Sequence, residues 1–134
     1  MSQYSILDRR PEEEVLPLLH SSQRSLIARG PDAKGILTAR GESKSEKGYL
    51  DYSSEELKEL LEKLQALVHE SRSLSQLAIR YVLSHEAVAT TIPGASSREQ
   101  LLQNVAASEL PSLNAEEIAL IQSISKANQY SDHR

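Results

Sequence analysis

The chain alternates short apolar segments with helical ones, and this alternation limits its fold more than any other feature. Residues 3–7, 25–29 and 88–92 are mostly apolar and have the length of β-strands, and a helical pattern follows each of them. Strands that alternate with helices form parallel sheets, because each connection must return to the start of the next strand. The sequence therefore predicts a single α/β domain over residues 1–134. We expect three parallel strands in chain order, buried on both faces, with helices mainly on one side of the sheet.

Several helical segments carry clear start signals. Ser53 and Glu56 have the spacing of a capping box before a stripe of leucines, and Asn114 and Glu117 repeat that spacing before the last helix. Pro17 falls inside the first helical segment. Because proline disrupts a helix interior, we expect this helix to be short or kinked.

Composition excludes several classes of function. The formal net charge of −4 argues against a general nucleic-acid binder, and the lack of cysteine excludes disulfides and fits a reducing compartment. No apolar run approaches the ~20 residues of a membrane span. The four histidines lack metal-ligand spacing, so no metal site is predicted. These features predict a soluble, cytoplasmic protein without membrane or nucleic-acid partners.

The strongest candidate site follows the third predicted strand. Gly94 leaves room for a ligand, and Ser96, Ser97 and Arg98 surround the start of the next helix. Free backbone N–H groups, hydroxyls and a guanidinium at that position favour a phosphate. The alternative is that Ser97 only caps the helix and that Arg98 is solvated. Amide side chains on the same side of this helix could bond to a purine edge or a ribose: Gln100, Gln103 and Asn104.

A second candidate site follows the second predicted strand, at residues 28–35. Gly30 and Gly35 make a flexible turn at the carboxyl end of a strand, where α/β proteins bind ligands, and Lys34 could meet a phosphate. An ordinary turn is the alternative, and the glycine spacing does not fit the Walker pattern. The charged residues 38–50 that follow predict a mobile loop.

Three stretches in register resemble the C-terminal part of the aldo-keto reductase family, in the bacterial branch akin to potassium-channel β subunits. They read "QYSILDRRPEEEVLPLL", "ARGPDAKGILT" and "IPGASSREQLLQN", and the last resembles the family's NADP-binding signature. The resemblance covers essentially the whole chain. The resemblance implies about three β/α units of a (β/α)8 TIM barrel, with parallel strands, flanking helices and NADPH extended across the C-terminal mouth.

The resemblance also implies a role for individual residues. Gln3 would hydrogen-bond the nicotinamide carboxamide, and Arg29 stands where the family usually has an aromatic that stacks on the nicotinamide. A guanidinium plane can also stack in this way. The residues expected along the pyrophosphate are Gly30, Pro31, Lys34, Gly35 and Leu37. Those expected around the 2′-phosphate and the adenosine are Gly94, Ser96, Arg98, Gln100, Gln103 and Asn104.

Two departures from the family pattern affect function. Asp32 replaces a leucine near the cofactor, and an acid there would repel a pyrophosphate by ~1 kcal/mol or more. The family's catalytic Asp, Tyr, Lys and His come from the first four strands, whereas this chain begins at the sixth. The resemblance therefore implies the NADPH-binding portion of an oxidoreductase of aldehydes and ketones, without catalytic residues and inactive alone. Two alternatives remain: a truncated, non-catalytic remnant that self-associates through its open edges, and an unrelated nucleotide-binding α/β module.

Overall fold

The structure, a computed structural model, describes residues 1–131 and contains one three-stranded sheet with its strands in chain order. Strand β1 is Ser2–Gln3, β2 is Leu26–Arg29 and β3 is Val88–Ile92. Both pairings, β1 with β2 and β2 with β3, are parallel. The predicted parallel order is confirmed, and β2 and β3 lie at the predicted positions.

The first strand is shorter than predicted. Residues 3–7 were expected to be extended, but β1 ends at Gln3. Beyond it, the N–H of Ser5 donates to the carbonyl oxygen of Asp8 at 3.1 Å, and the N–H of Asp8 donates back to Ser5 at 3.2 Å. The apolar residues between them, Ile6 among them, are fully buried in this turn. Their apolar character reflected burial, which the sequence pattern cannot distinguish from strand structure.

Helices fill the connections between and after the strands. Their bounds are Val15–Ser21 for α1, Gly41–Lys44 for α2, Ser54–Leu64 for α3, Leu74–Leu83 for α4, Arg98–Ala106 for α5 and Ala115–Ile124 for α6. Short 3-10 turns precede α1 and follow α3 and α5 at Arg10–Glu12, Gln65–Leu67 and Ala107–Glu109. The seven residues of α1, with Pro17 in its first turn, confirm the prediction of a short helix. No helix in residues 1–131 combines the length and the apolar character needed to cross a bilayer.

Capping boxes begin three of these helices. The hydroxyl of Ser53 accepts from the N–H of Glu56 at 3.2 Å, and the Glu56 carboxylate accepts from the N–H of Ser53 at 2.8 Å. Asn114 and Glu117 make the same exchange before α6, at 2.8 and 3.1 Å. Both predicted boxes are confirmed, and the structure adds a third at the start of α4.

The core lies on one side of the sheet. Along β2, Leu26 and Ala28 are buried while Ile27 is 42% exposed, and Ile92 at the end of β3 is 53% exposed. Helix α4 packs against β3, and the leucines of α3 and α4 belong to the same buried core as these strand residues. The expectation that both faces are buried is wrong for the described residues, because their helices cover only one face. The other face keeps apolar side chains in contact with solvent.

Candidate functional site

The turn after β2 contains three consecutive residues in the left-handed region. Their φ angles are 51° at Ala33, 59° at Lys34 and 90° at Gly35, and Gly30 at the start of the turn has φ 65°. The N–H of Gly35 donates to the carbonyl oxygen of Asp32 at 3.1 Å. Non-glycine residues in this region cost roughly 1–2 kcal/mol each, so the surrounding contacts must hold the turn in place.

The turn between β3 and α5 is closed by side-chain hydrogen bonds. The Ser97 hydroxyl accepts from the N–H of Gln100 at 3.2 Å, so Ser97 caps α5 as the simpler alternative predicted. The carboxamide oxygen of Gln100 accepts from the N–H and the hydroxyl of Ser96, at 2.8 and 2.9 Å. Asn104 donates its Nδ2–H to the carbonyl oxygen of Gly94 at 3.0 Å. A Cβ at Gly94 would meet no atom within 4 Å, so the space beside it is open.

These two turns line one cavity of about 1060 Å³. Cavities of this size are large enough for a cofactor or a drug-sized small molecule. The sequence-predicted residues that the structure brings together here are Lys34, Gly35, Gly94, Ser96, Gln100, Gln103 and Asn104. Two separate segments chosen from the sequence therefore share one cavity.

Several charged side chains in this cavity were not predicted. Three cationic ones, Arg40, Lys44 and Lys58, join Lys34 in the lining. The acidic residues of the lining are Asp32, Glu42, Glu62 and Glu99. Arg40 and Lys44 are four residues apart in the segment expected to be a loop. Side chains at that spacing lie on the same face of a helix, so the sequence did contain a signal that they lie together. Lys58 lies on the exposed side of α3, and nothing in its local sequence marks it.

The segment expected to be a mobile loop contains the single turn of α2. Gly41, at the start of α2, is buried, and a Cβ there would lie 2.2 Å from the carbonyl oxygen of Ile36. Because that contact is with backbone, only glycine permits this approach. The helix brings Arg40 and Lys44 to the cavity, while the mobility of residues 38–50 stays a prediction.

The acidic residue of the β2 turn faces this cavity. Burial raises the pKa of the Asp32 carboxyl above its usual value, and hydrogen bonds from the backbone N–H groups of Asp32 and Lys34 oppose that rise. A half-buried carboxylate in this position disfavours a second anion nearby. Among residues 1–131, no three acidic or histidine side chains are arranged to hold a metal ion.

A second group of predicted residues meets at the carboxyl ends of β1 and β2. Arg29 donates Nη1–H to Oε1 of Gln3 at 3.2 Å, and Gln3 donates Nε2–H to the hydroxyl of Tyr49 at 2.5 Å. Gly30 lies beside Gln3, and a Cβ built on it would sit 3.7 Å from Cγ of Gln3. Tyr49 was not predicted, since a single tyrosine in a charged loop carries no local signal.

Three predicted residues lie elsewhere. Leu37 is fully buried in the core, and Pro31 is also buried, so their side chains support the turn rather than line the cavity. Arg98 is exposed at the start of α5 and lines a separate shallow hollow with Gln76 and Leu102. It does not line the main cavity.

Comparisons with known proteins identify the family of this chain. The Aldo/keto reductase family model matches residues 1–126. A curated relative described as the uncharacterized oxidoreductase YqkF of Bacillus subtilis (strain 168) is 42% identical over 139 residues, covering 100% of this chain and 45% of YqkF. The pyridoxal 4-dehydrogenase of Microbacterium luteolum is 33% identical over 103 residues, covering 76% of this chain and 30% of that protein.

Solved structures of the same family also match this chain. The holo form of the aldo-keto reductase AKR11C1 from Bacillus halodurans matches with a TM-score of 0.88 and 44% identity, over 100% of this chain and 46% of that one. Its apo form matches with the same TM-score and 46% identity, over 99% of this chain and 46% of that one. The chain thus spans less than half the length of these relatives. It belongs to the aldo/keto reductase family of oxidoreductases, and its parallel sheet with flanking helices is part of that family's (β/α)8 barrel.

Proposed function

We propose that this chain is the NADP(H)-binding portion of an aldo-keto reductase. The observation that carries the proposal is the single cavity in which the turns after β2 and β3 meet. The family is generally NADP(H)-dependent, and the lining combines cationic, hydroxyl and amide side chains. When bound, the cofactor supplies the hydride that reduces the carbonyl carbon of an aldehyde or ketone.

The adenosine end of the cofactor would lie at the β3–α5 turn. The open space beside Gly94 admits a ligand close to the backbone, and Ser96, Gln100 and Asn104 offer polar groups around it. The nine-residue helix α5 directs its positive end toward this space, which favours the 2′-phosphate. Arg98, in the first turn of α5, would add a guanidinium after a rotamer change.

The pyrophosphate would lie along the β2 turn. Lys34 and Gly35 line the cavity from that turn, and Arg40 and Lys44 face it from the segment that follows. These three cations offset the carboxylate of Asp32, which opposes a phosphate at the same place. We therefore expect binding that is measurable but weak.

Tyr4, Tyr49 and Tyr81 are poorly suited to donate a proton to a carbonyl oxygen. Tyr4 and Tyr81 are buried and both donate their hydroxyls to Oε1 of Glu12, at 2.9 and 2.6 Å. Burial and the nearby Glu12 carboxylate raise the pKa of Tyr81, and burial raises the pKa of Tyr49 to about 12. A proton donor works best with a pKa near the working pH. We propose that the chain alone holds the cofactor without catalysing reduction.

A fluorescence titration tests the binding proposal. NADPH fluorescence should change saturably when the chain is added, and 2′,5′-ADP, which carries the 2′-phosphate but no nicotinamide, should reverse the change. The double variant Lys34→Gln/Lys44→Gln should weaken binding by roughly a hundredfold, since each lost charge-assisted contact is worth ~1.5 kcal/mol or more. Lys47→Gln is the matched control, because Lys47 is exposed in the same segment and does not line the cavity. A linear, unsaturable response in the wild type would refute the proposal.

A second experiment tests the absence of catalysis. NADPH oxidation is followed with a broad panel of aldehydes and ketones, using protein free of host reductases. We expect no steady turnover from the wild-type chain. Turnover that copurifies with the protein and is abolished in the double lysine variant would assign catalysis to the chain itself.

Self-association is a second candidate function, favoured by the uncovered sheet face. Ile27 and Ile92 are exposed on that face, and α5 exposes three further apolar side chains, Leu101, Leu102 and Val105. Apolar patches beside unpaired strand edges favour association. Light scattering should show a mass that rises with concentration, and Ile27→Thr/Ile92→Thr should lower it. Leu120→Thr is the control for loss of exposed apolar surface elsewhere. A constant monomer mass at every concentration would exclude this function.

A further inference from the structure

We propose that Tyr49 is a positioning residue that fixes the side-chain amide of Gln3 for recognition of the nicotinamide carboxamide. The inference rests on the proposed function and deepens it at the nicotinamide end. It assigns a role to Tyr49, the loop residue that contacts Gln3, and to Arg29, the partner of Gln3 on β2.

The two neighbours of Gln3 determine the orientation of its amide. Arg29 has only N–H donors, so the group facing it at 3.2 Å must be the oxygen Oε1. The nitrogen Nε2 then faces the hydroxyl of Tyr49, which accepts its hydrogen at 2.5 Å. An amide with a single neighbour could flip between two orientations, whereas an amide held by both a donor and an acceptor is restricted to one.

The fixed amide keeps bonding capacity for a ligand. A primary amide has two N–H donors and an oxygen with two lone pairs, and these contacts use one of each. One N–H and one lone pair of Gln3 are left over from these two contacts. A carboxamide presents the complementary pair, a carbonyl oxygen and an N–H. The arrangement therefore suits a ligand that carries a carboxamide, as nicotinamide does.

Tyr49 is itself held by the chain on both sides. It exchanges backbone hydrogen bonds with Tyr52 at 3.1 and 2.9 Å, which closes a tight turn. The hydroxyl of Tyr52 accepts from the N–H of Lys126 at 2.5 Å, and Asp51 accepts from Nδ2–H of Asn128 at 3.1 Å. The turn is thus anchored to the C-terminal segment, and these contacts fix the backbone that carries the Tyr49 ring.

The segment that leads to Tyr49 also lines the proposed pyrophosphate region. Thr38, Arg40 and Lys44 face the cavity, and Tyr49 follows five residues after Lys44. One continuous segment therefore contacts both the cavity and the residue expected to read the nicotinamide. Burial raises the pKa of Tyr49 to about 12, so its hydroxyl stays neutral at physiological pH and remains able to accept from Gln3.

Binding of whole and partial ligands to the 134-residue chain tests the inference. Tyr49→Phe keeps the ring and removes the acceptor. It should weaken binding of NADP⁺ about threefold to tenfold, the effect of losing one positioned hydrogen bond. It should leave binding of 2′,5′-ADP unchanged, since that ligand lacks nicotinamide. Tyr130→Phe is the control, because it removes a tyrosine hydroxyl that lies 3.5 Å from the hydroxyl of Ser2. It should leave both affinities unchanged.

Nuclear magnetic resonance can measure the chemical shifts of the Gln3 side-chain amide protons. A purely structural role of Tyr49 would not change these shifts selectively. In the wild type, one Nε2 proton of Gln3 should be shifted downfield by its bond to Tyr49, and NADP⁺ should perturb the other. The first shift should disappear in Tyr49→Phe while the backbone spectrum is otherwise retained. If Tyr49→Phe does not fold, Gln3→Met removes the same amide and should show the same selective loss of NADP⁺ affinity.

The outcomes separate this inference from the proposed function. Equal weakening of NADP⁺ and 2′,5′-ADP in Tyr49→Phe would make Tyr49 a structural residue and overturn the inference. Unchanged NADP⁺ affinity in that variant, or a wild type that binds NADP⁺ no more tightly than 2′,5′-ADP, would also overturn it while leaving the adenosine site intact. A wild type that binds neither ligand would overturn the proposed function and the inference together.

Discussion

Asn104 on the second turn of α5 donates its Nδ2–H to the carbonyl oxygen of Gly94 at 3.0 Å, which ties the helix back to the end of β3. The bond spans ten residues of sequence and holds the β3–α5 turn in shape without a ligand. The space beside Gly94 is open. A binding turn that is already shaped loses less conformational entropy when a ligand arrives.

Removing this bond should weaken ligand binding more than folding. In Asn104→Ala the turn loses its tether, and we expect affinity for 2′,5′-ADP to fall about threefold to tenfold, the effect of about one hydrogen bond. Calorimetric titration measures the affinity, and thermal unfolding measures stability. Gln129→Ala removes a similar amide from an exposed position outside the cavity and should change neither. An unchanged affinity in Asn104→Ala would show that the tether is unimportant for binding.

Much of the fold follows from local patterns in the sequence. The parallel order of the strands and the capping boxes at Ser53 and Asn114 depend on signals that lie within a few residues of each other. The end of β1 and the exposure of Ile27 could not be predicted in this way. They depend on what packs against each residue, and that information lies far away along the chain.

Local patterns likewise predicted only part of the candidate site. The two turns were identified because glycine, serine and amide residues after a strand are local signals, and seven of the predicted residues line one cavity. Lys58 reaches the cavity only because α3 packs beside it, and Tyr49 meets Gln3 across 46 residues of sequence. The direction of the Arg98 side chain was also beyond local patterns, since a rotamer depends on its neighbours.

Arg98 should distinguish NADP⁺ from NAD⁺. Because only NADP⁺ carries the 2′-phosphate, Arg98→Ala should weaken NADP⁺ binding by about tenfold, the usual effect of losing one charge-assisted bond, and leave NAD⁺ binding nearly unchanged. Competition against a fluorescent NADPH complex measures both affinities. Arg24→Ala is the control, since Arg24 is exposed and outside the cavity. Equal losses for the two dinucleotides would mean that Arg98 does not contact the 2′-phosphate.

Asp32 should make both stability and binding depend on pH. Burial raises its pKa in the folded chain, so its favourable contribution is full below the unfolded value of 3.8 and is lost as pH rises through the folded pKa. Asp32→Asn should therefore raise the thermal unfolding temperature at neutral pH and tighten binding of 2′,5′-ADP and NADP⁺. Glu46→Gln, at an exposed position of the same segment, should do neither. A less stable Asp32→Asn protein at pH 7 would contradict the assigned effect of burial.

Glu117 should produce the opposite pH dependence. Its Oε2 lies 2.5 Å from Nη2 of Arg72, and hydrogen bonding to that guanidinium lowers the pKa of Glu117 from 4.5. A lowered folded pKa gives stability that is present above the unfolded pKa and lost as pH falls through the folded one. The wild type should therefore be more stable than Glu117→Gln at pH 7, and the difference should shrink in acid. Denaturant titrations across pH measure it, and Glu116→Gln is the neighbouring exposed control.

The most direct test of the central claim is a titration of isotope-labelled protein with 2′,5′-ADP, followed by amide resonances. If the turns after β2 and β3 form one adenosine phosphate site, the amides of Lys34, Gly35, Ser96 and Gln100 should shift together and saturate with a single dissociation constant. Amides outside the cavity, such as those of Arg24 and Gln129, should stay in place. The absence of a saturable shift at either turn would contradict the claim that this chain holds the phosphate-bearing end of NADP(H).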